Sequence, residues 1–136
     1  MSAGDILREE DLIVEALTVK SGEDIEKGEI CFNDGAGMIA ASISTTVLGP
    51  YYMALVDHDY SAESTHVIGF VKKGFVEVQK SGATAILEGE YVEIGSTAGE
   101  VQVSDLSVGE YQGVGACTET IGTTETTVKI HLGQMP

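Results

Sequence analysis

Apolar and polar residues alternate here with a period of two, and glycine breaks the alternation at short intervals. That pattern constrains the chain more than any other feature. Successive side chains of a β-strand point to opposite faces, so each such run builds one buried face and one wet face. Phe75-Val76-Glu77-Val78-Gln79 sets its valines against Glu77 and Gln79, and Tyr91-Val92-Glu93-Ile94 sets Val92 and Ile94 against Glu93. Val101-Gln102-Val103 repeats the pattern. In residues 126–132, Val128, Ile130 and Leu132 face inward, while Thr127, Lys129 and His131 face outward. Residues 38–42, 53–56, 65–71 and 113–118 are further strand candidates between Gly, Asp, Asn or Ser turns. With 17 glycines and 2 prolines as punctuation, the expectation is an all-β fold. It is a small barrel or sandwich of about nine short, mostly antiparallel strands.

The first residues can be read two ways. Ile6, Ile13 and Leu17 would share a helical face capped by Asp5. Ile13, Val14, Thr18 and Val19 are β-branched and favour a strand, so a strand is expected from Leu12 onward. The chain then divides into an N-terminal arm, residues 1–11, and one β domain, residues 12–136. The arm is expected to be short, charged and flexible, with Ile6-Leu7 as its apolar pair. A chain of 136 residues buries about two-thirds of its unfolded surface, enough for one core without staples.

A weak internal repeat is present. Residues 23–30 resemble residues 84–91, and each stretch places an isoleucine (Ile25, Ile86) three positions before Gly-Glu. A Gly-rich turn and a second β-run follow in both. Gly28 and Gly89 are expected at tight turns, in two similar strand–turn–strand units of a pseudo-symmetric barrel.

The 22 acidic residues face 7 basic ones, for a formal net charge of −15, and Arg8 is the sole arginine. Nucleic-acid binding relies on Lys and Arg displacing counterions from phosphate, and the only adjacent basic pair is Lys72-Lys73. Neither a nucleic acid nor an anionic membrane is an expected partner. No apolar run approaches the roughly 20 residues that cross a bilayer, and residues 1–10 lack the apolar stretch of a secretory signal. A soluble protein made in the cytoplasm is expected.

Candidate chemistry is sparse. The histidines are His58, His66 and His131. Asp57-His58-Asp59 reads as a solvated loop, because a metal there would need ligands beyond His66. Cys31 and Cys117 sit among apolar residues and read as buried thiols, whose pairing sequence leaves open. No Gly-x-Ser-x-Gly elbow exists, and neither Gly35-Ala36-Gly37 nor Gly113-Val114-Gly115 precedes a helix or a lysine. The expectation is a protein that is not an enzyme, with no catalytic residues, cofactor or metal. Residues 19–29 look like the opening of a biotinyl or lipoyl carrier domain, but Lys72-Lys73-Gly74 and Gln79-Lys80-Ser81 lack the setting of a modified lysine.

Read end to end, the chain resembles the capsid-cement (head-decoration) proteins of tailed phages and tailed archaeal viruses. The likeness rests on a first strand at 12–19, a Gly-x-x-Ile-x-x-Gly-Glu turn at 22–29 and a Gly-centred hairpin at 35–42. A strand pair at 67–78 follows, then a second unit at 86–103, and a closing Gly-Val-x-Ala and Thr-rich strand at 113–132. Residues 43–60 depart from it. The resemblance implies a structural virion protein that binds the major capsid protein on the outer shell surface and stabilises the shell, as a homo-oligomer, with a trimer favoured. The residues add two expectations: a capsid-binding arm with Ile6 and Leu7 as apolar anchors beside Arg8, pairing along a shell subunit's strand edge, and self-association through Tyr51, Tyr52 and Met53, since aromatics and methionine are enriched at interface cores. Ordinary core packing is the other reading of Tyr51 and Tyr52. The alternative is a generic acidic β-barrel interaction domain of a cellular protein, which high-salt adaptation would suit; the carrier domain ranks below both.

Overall fold

The computed structural model describes residues 2–43, 49–82, 84–104 and 113–133. These residues hold nine strands and no helix: β1 (Ile6–Thr18), β2 (Ile30–Asn33), β3 (Met38–Ala40), β4 (Tyr52–Ala54), β5 (Val67–Gln79), β6 (Tyr91–Ile94), β7 (Val101–Val103), β8 (Gly113–Cys117) and β9 (Thr127–Leu132). They form one curled half-barrel sheet in the order β3-β2-β4-β5-β9-β8-β6-β7, with β1 laid along β5. Each strand pair is antiparallel. The all-β expectation holds.

The repeat is real in three dimensions. β2 carries β3 and β4 as β6 carries β7 and β8, so the strand order is symmetric about the β5–β9 pair. Ile25 exchanges backbone hydrogen bonds with His58 (2.9 and 2.7 Å), and Ile86 exchanges them with Ile121 (3.2 and 2.9 Å). The amides of Gly28 and Gly89 donate to the carbonyls of Ala54 and Cys117, each at 2.9 Å. The carboxylates of Glu29 and Glu90 accept the amides of Glu26 (2.8 Å) and Leu87 (2.7 Å). Ile-x-x-Gly-Glu is therefore a turn that caps itself. Gly28 and Gly89 supply its left-handed residue, at φ +88° and +91°, as the sequence led one to expect.

Strand alternation splits the apolar residues into two cores on the two faces of β2, β4 and β5. Ile30, Met53 and Val71 join Val76, Val78, Ile94, Val128, Ile130 and Leu132 in the main core. Their sequence neighbours Cys31, Tyr52, Ala54 and Phe70 join Val19, Ile25, Met38 and Ile68 in a second core. Burying each large apolar side chain contributes about 1.5–3 kcal/mol. The ends of the strand path are tied by backbone bonds from Ile30 to Gly99 (2.9 Å), Gly99 to Ala41 (2.9 Å) and Ile43 to Gly95 (3.0 Å).

Three expectations need correction. β1 starts at Ile6 rather than Leu12, and the Gly4 amide already bonds to the Glu77 carbonyl at 2.7 Å. Residues 6–10, expected in the arm, thus lie on the chain's own sheet. A rim strand held by main-chain bonds to one neighbour needs no apolar alternation, so its polar run gave no strand signal. Second, β5 is continuous across Lys72-Lys73-Gly74, where two shorter strands were expected. Third, Tyr51, Tyr52 and Met53 are all buried in the cores. They present no surface for self-association.

Candidate functional site

β5 uses both edges. β4 and then β9 share one of them, because Phe70 and Val71 pair with both β1 and β4, while Phe75 and Val76 pair with both β1 and β9. β1 takes the other edge, and among the described residues no strand pairs with the far side of β1. A row of main-chain donors and acceptors therefore lies open along a rim strand of 13 residues.

The pairing of β1 is irregular in its middle. Arg8 lies opposite Phe75 and Ile13 opposite Lys73, so residues 9–12 face only Gly74. Asp11 turns to φ +58° there. Leu12 folds back onto the main core, and a Cβ on Gly74 would come within 3.1 Å of Leu12 Cδ1. Glycine at 74 therefore makes the room that anchors the bulge.

The side chains of β1 sort into engaged and free. The Arg8 guanidinium lies over the Phe75 ring at 3.9 Å, and Phe75 stacks on His131 at 4.1 Å. His131 Nε2 lies 3.5 Å from Asp11 Oδ2. Arg8, expected to reach a partner, is thus held on the chain's own surface, and His131, expected outward, is half-buried beneath it. Leu7 is half-buried and Ile6 is exposed. Beyond the bulge, Ile13 and Val14 are 46% and 48% exposed, and Val67, opposite Thr18, is 49% exposed. Glu9, Glu10, Asp11 and Glu15 surround them with negative charge, and Lys72 Nζ approaches Glu15 at 3.7 Å. Sequence reasoning placed the contact residues at 6–8. It missed 13 and 14 because it placed residues 12–19 in the first strand of the β domain, outside the binding arm.

The remaining candidates fall elsewhere. Cys31 and Cys117 are both free and buried, one in each core. Burial pushes both thiols above their ordinary range, Cys31 well above it. That keeps them protonated and weakly nucleophilic. Lys72 and Lys73 lie in mid-strand, and Lys80 is buried with its ammonium donating to the carbonyls of Gly82 (3.1 Å) and Glu125 (3.3 Å). None of the three sits on an exposed hairpin. His58, expected in a solvated loop, is 1% exposed and contacts His66. Among the described residues, no three His, Cys, Asp or Glu side chains converge as metal ligands. No family model matches the chain, and no curated protein matches its sequence.

Proposed function

We propose that this chain is a structural virion protein that binds the outer surface of a viral capsid and stabilises the shell, with β1 as the element that meets the major capsid protein. The observation that carries this reading is the open edge of β1, flanked by exposed Ile13 and Val14. An added strand would gain affinity from main-chain hydrogen bonds and specificity from those side chains. The acidic residues of β1 disfavour pairing with the same strand of another copy, since like charges oppose it. A partner strand of different charge meets no such barrier. The overall charge of −15 also suits a protein outside a container of DNA, because it has little affinity for phosphate. In this reading the chain is made in the host cytoplasm and assembles on the shell as a homo-oligomer, a trimer by the resemblance. With residues 51–53 buried, another surface would have to carry that association.

Binding of the double variant Ile13→Asp, Val14→Asp to expanded capsids tests the proposal. Both positions are exposed, so the melting temperature should hold while capsid affinity falls at least tenfold. Undiminished binding would remove β1 from the interface. A native chain that bound no expanded capsid would sink the virion reading and leave a protein-interaction domain of another setting.

A further inference from the structure

The β4–β5 loop, residues 55–66, encloses a chain of titratable groups that the rim strand does not use. The paired backbone bonds between Ile25 and His58 turn the His58 ring inward. Its Nε2 lies 3.0 Å from Nδ1 of His66, with the two rings nearly perpendicular at 85°. On the other side, Glu63 Oε2 lies 3.2 Å from His58 Nδ1 and also accepts the Asp59 amide at 3.0 Å. Tyr60 stacks on His66 at 3.6 Å and meets His58 edge-on at 5.9 Å. Within the loop, Asp59 is bound to the amide and hydroxyl of Ser61. The facing turn contributes Asp24, which takes the Tyr60 amide, and Lys27, whose amide donates to Asp57. Exposed Glu26 and half-buried Glu23 lie on the same turn. β2 and β4 contribute Cys31 and Tyr52 from the second core.

The fold does not require a histidine here. In the second unit Ile121 occupies the place of His58, with the same backbone bridge to the isoleucine of its turn. The carbonyl of His66 accepts the Val19 amide at 2.7 Å, as the carbonyl of Thr126 accepts the Lys80 amide at 2.8 Å. Both histidines are therefore additions to a frame that closes without them.

We propose that Glu63, His58 and His66 form a proton-operated latch that holds the 55–66 loop closed over the second core and releases it when both rings are protonated. With no added proton, or one, an N–H of one ring points at the lone pair of the other. A single added proton is balanced by the Glu63 carboxylate. A second proton sets two N–H groups and two positive rings against each other at 3.0 Å, so the bond is lost and the charges repel. The open loop separates two charged rings that the closed one holds at 3.0 Å, so opening gains as pH falls. Release would loosen the Ile25–His58 bridge and the Val19–His66 bond where the chain leaves β1. This inference does not depend on the capsid reading.

Native-state amide exchange on the full chain tests it, with intrinsic rates divided out. Between about pH 7.5 and about pH 5.5, protection at Val19, Ile25 and His58 should fall at least tenfold, while Val128 and Ile130 of the main core keep theirs. His66→Gln removes the second titrating ring and should reduce the fall to under twofold. Glu63→Gln removes the balancing charge 3.2 Å from His58, so the closed loop holds charged rings less well and the fall should steepen. An equal loss in the main core would overturn the latch. So would a His66→Gln variant that keeps the original fall. Should that variant fail to fold, an unchanged or shallower fall in Glu63→Gln decides against it.

Discussion

Ile121 holds, in the second strand–turn–strand unit, the backbone position that His58 holds in the first; each exchanges a pair of main-chain hydrogen bonds with the isoleucine that opens its turn. One frame thus accepts either an apolar side chain or an imidazole at the same inward site. His58→Ile should fold. Its stability near neutral pH should stay within about 1.5 kcal/mol of the parent, the usual range for a swap that conserves core volume. Two charged rings at 3.0 Å would repel in the folded parent, and the variant has only one of them, so the variant should lose less stability as pH falls. Urea unfolding at neutral and mildly acidic pH checks this, and parallel losses in both proteins would contradict it.

The two turn glycines separate backbone strain from crowding. Gly28 and Gly89 share the left-handed conformation, at φ +88° and +91°. A Cβ at Gly89 meets nothing within 4 Å, whereas one at Gly28 would lie 2.5 Å from Ala3 Cβ and 2.8 Å from the Gly4 nitrogen. Gly89→Ala should cost about 1–2 kcal/mol, the left-handed penalty alone. Gly28→Ala should cost more and should detach residues 3–5 from β5. Equal denaturant midpoints would show that residues 3 and 4 do not pack on the turn in solution.

The strands on two-sided ladders were legible, and the reason lies in their faces. β9 buries Val128, Ile130 and Leu132 and leaves Thr127, Lys129 and His131 at least partly accessible, so its period of two stands in the letters. β1 was legible only from Leu12, because Arg8 to Asp11 need no core face on a rim. The join at Lys72-Lys73-Gly74 looked like a turn, yet Gly74 only makes space for Leu12 on a continuing strand. Tyr51 to Met53 looked like contact residues because aromatics and methionine are common in interfaces. The same side chains fill cores equally well, and only the tertiary fold decides. His58 was hidden by its aspartate neighbours. Its signal was the repeat, which aligns it with Ile121, and that register needs the turn geometry to fix it.

Glu29 gives a pH-dependent test of the capped turn. Burial raises its carboxyl above the ordinary range; the Glu26 amide opposes this, while the charges of Glu26, Glu100 and Asp57 add to it. The folded chain therefore holds this proton more tightly than the unfolded chain. Its cost to folding is fully present above the raised value and fades as pH falls toward the ordinary carboxylate value of about 4.3. Glu29→Gln keeps an oxygen to accept the Glu26 amide and discards the charge. The variant should be more stable than the parent near neutral pH, with the difference closing in acid. Denaturant midpoints across pH measure it, and a difference that widened in acid would contradict the sign.

Met53 and Val14 divide the roles of core and rim. Met53 lies opposite Ile30 on one side and Val71 on the other, with no exposure. Truncating it leaves a hole that its close-packed neighbours fill only in part, so Met53→Ala should cost about 2–5 kcal/mol. Val14 is 48% exposed beside an open strand edge, and Val14→Ala should stay within about 0.5 kcal/mol of the parent. If β1 meets the shell as proposed, binding should respond in reverse: the folded fraction of Met53→Ala should bind capsids as the parent does, and Val14→Ala should bind more weakly. If Met53 instead belonged to a surface between copies, its truncation would leave unfolding unchanged and alter sedimentation. Chemical unfolding, sedimentation and capsid pull-down on the same two variants therefore distinguish a residue that holds the barrel together from one that meets a partner.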